Sequence, residues 1–173
     1  MIHFVMGNEA CDADSMVSAL CFAYLKDQAG AGTSGAVRTQ HVPLMNVKRE
    51  DFKLRSETSM LFMGSPSGPL ANILQQQSDS ASTSKSGIDL DSLMFIDDVN
   101  IHELHRHQKI RLTLVDHNQI SPKQSELADA IIEIVDHHQD RGEHKQVTGA
   151  DRVISFIPDA PSDVPPGVGS TCT

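Results

Sequence analysis

The run Leu112-Thr113-Leu114-Val115 ends on Asp116-His117-Asn118, and twenty residues further on Ile131-Ile132-Glu133-Ile134-Val135 ends on Asp136-His137-His138. Short apolar runs of this length are the mark of strands buried within a sheet. Each stops on a carboxylate and an imidazole. Open α/β sheets bind ligands at the carboxyl ends of their strands, so the repetition puts oxygen and nitrogen donors where a site is expected. A third apolar run, Ile2-His3-Phe4-Val5-Met6, precedes the acidic pair of Asp12-Ala13-Asp14. Three strand ends that carry carboxylates can converge on one point, and mixed Asp and His donors there read as a metal site.

Outward from these strands, Ser15 to Leu25 repeats apolar residues at helical spacing behind a Ser or Asp cap, which predicts a helix after the first strand. The glycine-rich stretch from Ala29 to Gly35 ends it. His41 to Val47 is the next strand candidate, Met60 to Met63 another, and Leu93 to Ile96 a further one before Asp97-Asp98. Ile101 to His107 reads as a short helix, Ser125 to Ile134 as helix passing into strand, and Val153 to Ile157 as a last strand. Alternating strands and helices define the expected class: α/β, with a mainly parallel sheet flanked by helices. Residues 64–87 hold Gln75-Gln76-Gln77 and a Ser/Thr tract from Ser78 to Ser86. The tract has too little apolar surface to offset its ordering entropy, so 64–87 is expected to be a flexible insertion.

A chain of 173 residues, 39% hydrophobic and without a long apolar stretch, can form one domain with its own core, and no membrane span is expected. No basic, apolar and small-residue segments follow one another at its start, so no secretory signal is expected and the cytoplasm is the expected compartment. Cys11, Cys21 and Cys172 have neither the even count of a disulfide framework nor zinc-finger spacing, and read as reduced thiols. Acids exceed bases 23 to 14, and the aromatics are six Phe and one Tyr, so no stable nucleic-acid binding is expected. An acidic chain still binds phosphate where divalent cations supply the positive charge. Protein partners are not readable from the sequence.

A carboxylate-rich donor set can hold two divalent ions that clamp phosphoryl oxygens, and hydrolysis then needs no protein nucleophile. Lys48 and Arg49, with Arg141, His144 and Lys145, are candidate anion contacts. Structural roles compete at each position. Asp12 and Asp14 sit where a helix cap is placed. His117, beside a ligating Asp, reads as a hydrogen-bonding neighbour and not a ligand. Asp97-Asp98 reads equally as a turn or as a further acidic contribution. His102, His105 and His107 read as a solvated helix face. Cys11 has no basic neighbour in sequence and reads as a small packing residue.

Gly7-Asn8-Glu9-Ala10-Cys11-Asp12-Ala13-Asp14-Ser15 resembles the first motif of the DHH phosphoesterase superfamily, in the form found in its prune and exopolyphosphatase branch. Asn8 stands where the related manganese-dependent inorganic pyrophosphatases carry His. Asp116-His117-Asn118, with Asn in place of a second His, and Asp136-His137-His138 resemble two later motifs, and Gly169-Ser170-Thr171 the Gly-Ser element after them. Pro43 to Arg49 is similar to a basic segment of the prune branch. The four motifs stand in order over almost the whole chain.

The resemblance implies Asp12, Asp14, Asp116 and His137 as metal ligands, with Asp116 bridging two ions and His138 facing the substrate phosphate as its catalytic companion. Asn8, His117, Lys48, Arg49 and Ser170 are implied as substrate-binding or supporting residues. The implied cofactor is Mn2+ or Mg2+, and an amide ligand at position 8 would favour magnesium. The expected activity is metal-dependent cleavage of phosphoanhydride bonds in short inorganic polyphosphates, with inorganic polyphosphate or another small phosphate as the partner. The alternatives are a manganese-dependent inorganic pyrophosphatase, a phosphodiesterase and a non-catalytic prune-like interaction protein. Family members continue with a helix, a strand carrying one more metal-binding Asp, and a C-terminal lid domain. Residues 1–173 are therefore expected to be one DHH-type domain, incomplete at its C-terminus and without the lid, with activity impaired by truncation.

Overall fold

The computed structural model describes residues 1–30, 39–63, 88, 90–156 and 171. Among them, six strands form one sheet: β1 (Ile2–Met6), β2 (Gln40–Met45), β3 (Met94–Phe95), β4 (Ile110–Val115), β5 (Ile131–Asp136) and β6 (Arg152–Ile154). Their order is β3-β2-β1-β4-β5-β6, and every neighbouring pair is parallel. The chain thus builds outward in one direction from β1 and in the other from β4. The boundary between these two strands is the switch point of the sheet, where connections depart to opposite sides and leave a crevice beyond the strand ends.

Side chains alternate across the sheet and separate the core into two layers. Phe4, Met6, Leu112, Leu114, Ile131 and Ile134 face one side, where Ile101, Ile120 and Leu127 cover them. Val5, Met45 and Val115 face the other, beneath Met16, Ala19 and Ala23. Burial on both faces explains why β4 reads as a mostly apolar run without polar alternation. Fully burying one such Leu, Ile or Phe side chain contributes about 1.5–3 kcal/mol.

The second layer is held by α1 (Ala13–Gly30). Its start is set by Asp12, whose Oδ1 accepts from the Ser15 amide at 3.0 Å, with Asp14 favourably placed in the first turn against the helix dipole. Gly7 makes the approach of β1 to this helix possible. A Cβ there would lie 2.8 Å from Ser15 Cβ and 2.9 Å from Ser15 O, closer than packed atoms tolerate.

Two expectations change. Met60 to Met63 is not a strand but belongs to α2 (Ser56–Met63). Thr58, Ser59 and Phe62 are buried while Met60 and Leu61 are exposed, a one-sided helical pattern that a four-residue window hides. The helix α3 (Ile101–Arg106) is capped by Asn100, whose side chain accepts from the Glu103 amide. It leaves His102 and His105 only partly solvated. They pair with Glu126 and Asp129 of the 3-10 segment Pro122–Ala130, His105 Nε2 lying 3.0 Å from Asp129 Oδ1. His107 is exposed. The expected insertion at 64–87 lies outside the described residues. No helix among the described residues is long and apolar enough to cross a membrane.

Candidate metal centre

β4 ends at Val115, and Asp116 turns the chain with φ +62°, a left-handed backbone that a non-glycine residue keeps only where its surroundings enforce it. Its amide donates to Val135 O at 3.0 Å. Its carboxylate is buried at the switch point. Oδ2 accepts from Ser15 Oγ at 2.5 Å and from Asn8 Nδ2 at 2.9 Å. Oδ1 lies 3.0 Å from His137 Nε2 and 3.7 Å from His138 Nδ1, and accepts from Thr171 Oγ1 at 3.4 Å. One side chain therefore joins the loops that follow β1, β4 and β5.

Asp14 reaches the same point from the first turn of α1. Its Oδ2 lies 3.4 Å from His137 Nε2 and accepts from the Thr171 amide at 3.2 Å. Asp14, Asp116 and His137 are thus brought together. Asp12 is exposed beside them, with Oδ1 engaged as the cap of α1. Its charge is still felt: burial pushes the Asp116 carboxyl up, the Ser15 hydrogen bond opposes this, and the neighbouring Asp14 and Asp12 push it further. An ionised Asp116 is consequently strained by its surroundings. A cation placed among these oxygens would relieve that strain, and carboxylate with imidazole is a donor set that divalent ions accept.

Asp136, His137 and His138 also fall with Asp116 into one group whose ligand atoms lie within 4.8 Å of one another, a group that could hold a metal ion. The sequence places Asp136 in the second donor cluster, but the family resemblance gives the ligand role to its neighbour His137 and none to Asp136. Its oxygens are heavily committed. Oδ1 accepts from the amides of His137 and His138 at 2.8 and 3.1 Å and pairs with His138 Nδ1 at 2.8 Å. Oδ2 accepts from Asn118 Nδ2 at 2.5 Å. Burial pushes the Asp136 carboxyl up, but the hydrogen bonds from His138 and Asn118 outweigh it and hold the group below its ordinary range. This carboxylate sets the orientation of His138, whose own side chain is 54% exposed.

The remaining sequence candidates divide. Asn8 braces Asp116 through Nδ2, while its Oδ1 accepts from the Cys11 amide at 3.0 Å. The amide oxygen invoked for magnesium preference thus already accepts one hydrogen bond. His117 Nδ1 lies 2.9 Å from Val115 O, and burial holds its imidazole below the usual range. Arg49 turns inward: Nε and Nη2 form a fork on Asp98 at 3.2 and 2.6 Å, Nη1 and Nη2 donate to Leu90 O and Leu93 O, and the guanidinium stacks on Phe95. Asp97 and Asp98 therefore serve the β3 turn, Asp97 through the Arg49 amide at 2.9 Å. The side chains of Lys48, Arg141 and Lys145 are exposed, and His144 is half-buried. Burial pushes the Cys11 thiol up to about 12, as suits a packing residue. Ser170 lies outside the described residues.

A parallel α/β sheet with a carboxylate and imidazole cluster at its switch point defines a class of α/β protein with a candidate ligand crevice at its strand ends. The chain belongs to the DHH family: the family's N-terminal domain matches residues 3–173. It is 35% identical over 136 residues to the exopolyphosphatase PRUNE1 of Bos taurus, covering 79% of this chain and 24% of that protein. Identity to the exopolyphosphatase PRUNE1 of Homo sapiens is 33% over 143 residues, covering 83% and 26%. A putative exopolyphosphatase of Schizosaccharomyces pombe is 29% identical over 140 residues, covering 80% and 29%. The chain spans about a quarter of the length of these relatives.

Proposed function

We propose that this chain carries the metal-binding domain of a phosphohydrolase that cleaves phosphoanhydride bonds in short inorganic polyphosphates. The observation that supports this most is the convergence of Asp14, Asp116 and His137 at the switch point, in a chain whose relatives are named exopolyphosphatases. Asp12 completes the ligand set in this reading, and these residues would hold two ions, manganese or magnesium. Carboxylates suit both ions, and imidazole favours the transition metal. When bound, the cations supply charge against the phosphoryl oxygens and make water acidic enough to attack.

The chain's own residues do the rest. Ser15 and Asn8 lock the Asp116 carboxylate in place, so its orientation does not have to be found during turnover. Asp136 holds His138 at Nδ1, which leaves the other ring nitrogen to donate to a phosphate oxygen. Lys48 and Ser170 are retained as phosphate contacts. Arg49 joins them only by giving up its fork on Asp98. The one-domain reading of 1–173 and the cytoplasmic compartment belong to the same proposal.

The test is phosphate release from tripolyphosphate by this chain with manganese or magnesium, with Asp116→Asn as matched control. Release lost in the control supports the reading. Faster release from pyrophosphate would move the assignment to a pyrophosphatase, and faster cleavage of a phosphodiester would move it to that class.

A further inference from the structure

Four hydrogen bonds run in one direction toward the Asp116 carboxylate. Gln124 Nε2, in the 3-10 segment, donates to Asn46 Oδ1 at 2.7 Å, and Asn46 Nδ2, just past β2, donates to Gly7 O at 3.1 Å. Gly7 O and the Asn8 amide belong to one planar peptide unit and point to opposite sides of it. That amide donates to Ser15 Oγ at 3.1 Å, and Ser15 Oγ donates to Asp116 Oδ2 at 2.5 Å. The side chains that carry the series, those of Gln124, Asn46 and Ser15, are all buried.

The direction of each bond follows from the groups that meet. A main-chain carbonyl only accepts, so Asn46 presents its amino group to Gly7 and its oxygen to Gln124. The Asn8 amide fills a lone pair of Ser15 Oγ, and the single hydroxyl proton turns to Asp116. Asp116 Oδ2 takes the Asn8 Nδ2 donor as well, at 2.9 Å. Oδ2 is thereby fixed against the β1 loop, and Oδ1 is the oxygen left toward His137 Nε2, 3.0 Å away. Bonds aligned head to tail polarise one another, so a change at the far end is felt at the near one.

We infer that Asn46 is a positioning residue for the Asp116 centre, acting through the peptide between Gly7 and Asn8 and the Ser15 hydroxyl, with Gln124 fixing the direction of its amide. The inference rests on that centre being a divalent-cation site. It touches neither the cation nor a substrate: what Asn46 controls is which Asp116 oxygen faces the other ligands. The competing role for Asn46 is to satisfy a buried carbonyl between β1 and β2 and nothing more. Losing that role would cost stability and leave the affinity of the folded chain for metal unchanged.

Calorimetric titration of the full chain with manganese separates the two roles. Ser15→Ala, which removes a direct partner of Asp116, should weaken binding roughly 10- to 100-fold. Asn46→Leu, close in volume, should weaken it about three- to tenfold, being one step further removed. In the Ser15→Ala background, adding Asn46→Leu should change affinity by less than about twofold, because members of one network are not additive. Thr113→Val is destabilised elsewhere and should bind as the parent does. Parent-like affinity in Asn46→Leu, an equal loss in Thr113→Val, or an undiminished effect of Asn46→Leu in the Ser15→Ala background would overturn the inference. If Asn46→Leu does not fold, Gln124→Met takes its place and is read by the same three outcomes. If the parent binds no manganese, the metal reading of the centre fails on its own, and the Asp116 carboxyl carbon resonance becomes the readout. Asn46→Leu should then move that resonance in the parent and leave it in place in Ser15→Ala. A resonance unmoved in the parent, or moved equally in both, overturns the inference there too.

Discussion

Further from the carboxyl ends of the strands, beside the C-terminal part of α1, lies a second polar row that also joins carboxylate, hydroxyl and imidazole groups. His3 Nε2 meets Thr113 Oγ1 at 2.8 Å, Thr113 donates onward to Glu133 at 2.9 Å, and Lys26 Nζ closes on Glu133 at 2.6 Å. Beside His3, His41 pairs with Asp27 at 2.8 Å. Both ends of this row, Lys26 and Asp27, return to α1. The negative charge of Glu133 is matched within the row by Lys26. The partners of Asp116 are hydroxyl, amide and imidazole groups, with two more carboxylates alongside. A polar network that closes on itself ties elements together; one left with surplus negative charge is arranged for something the chain does not supply.

The sharpest way to break this contrast is Asp116→Asn. Phosphate release should fall at least roughly a hundredfold, and the rise in melting temperature with manganese should vanish. In chelator the variant should melt no lower than the parent, since it loses an ionised group that its surroundings disfavour. A variant that melts well below the parent without metal would mean that Asp116 is a structural acid, like Glu133. Gly7→Ala comes next, at about 1–3 kcal/mol by urea unfolding, because the new methyl group forces Ser15 aside. It should also weaken the manganese effect, through the displaced Ser15 hydroxyl. Thr113→Val should destabilise by about 1–2 kcal/mol through its two lost hydrogen bonds while leaving the manganese increment unchanged. A change in that increment would show that the two networks are coupled.

A pH dependence tests the same row without a change in sequence. Burial, helped by His41, lowers the His3 imidazole to about 4 from 6.5. Between these values the unfolded chain binds more protons than the folded one, so stability falls as pH drops from about 6.5 to about 4 and the contribution is constant above that window. His3→Gln keeps a donor toward Thr113 without titrating. Its melting temperature should therefore decline less over this range than that of the parent. Parallel curves would remove His3 from the account of the row.

The frame of the molecule was legible where burial is two-sided and the run is short. β1, β4 and β5 announce themselves as apolar stretches, and their ends carry the acids. Asp14, Asp116 and His137 could be grouped because a parallel sheet brings strand ends together whatever their separation in the chain. The misses share a different physics. Met60 and Leu61 are apolar but exposed on α2, so local hydrophobicity pointed to the wrong element. Arg49 looked like an anion contact because its fork suits phosphate, yet Asp98 offers the same geometry from 49 residues away. His102 and His105 face carboxylates across a helix contact that no spacing within their own segment reveals. The Asp136 role depends on which oxygen each neighbouring amide reaches, and only coordinates carry that.

The position of the switch point also governs when the centre can exist. Its two central strands pair Ile2 with Ile110 and Met6 with Leu114. Almost two thirds of the chain must be laid down before the first such contact forms, and closing so long a loop makes parallel pairing slow. The ligands of the candidate centre belong to separate segments that become neighbours only once that pairing is in place. A cation that needs all of them cannot guide the early chain. It acts on the finished fold, lengthening the life of the native state far more than it hastens its arrival.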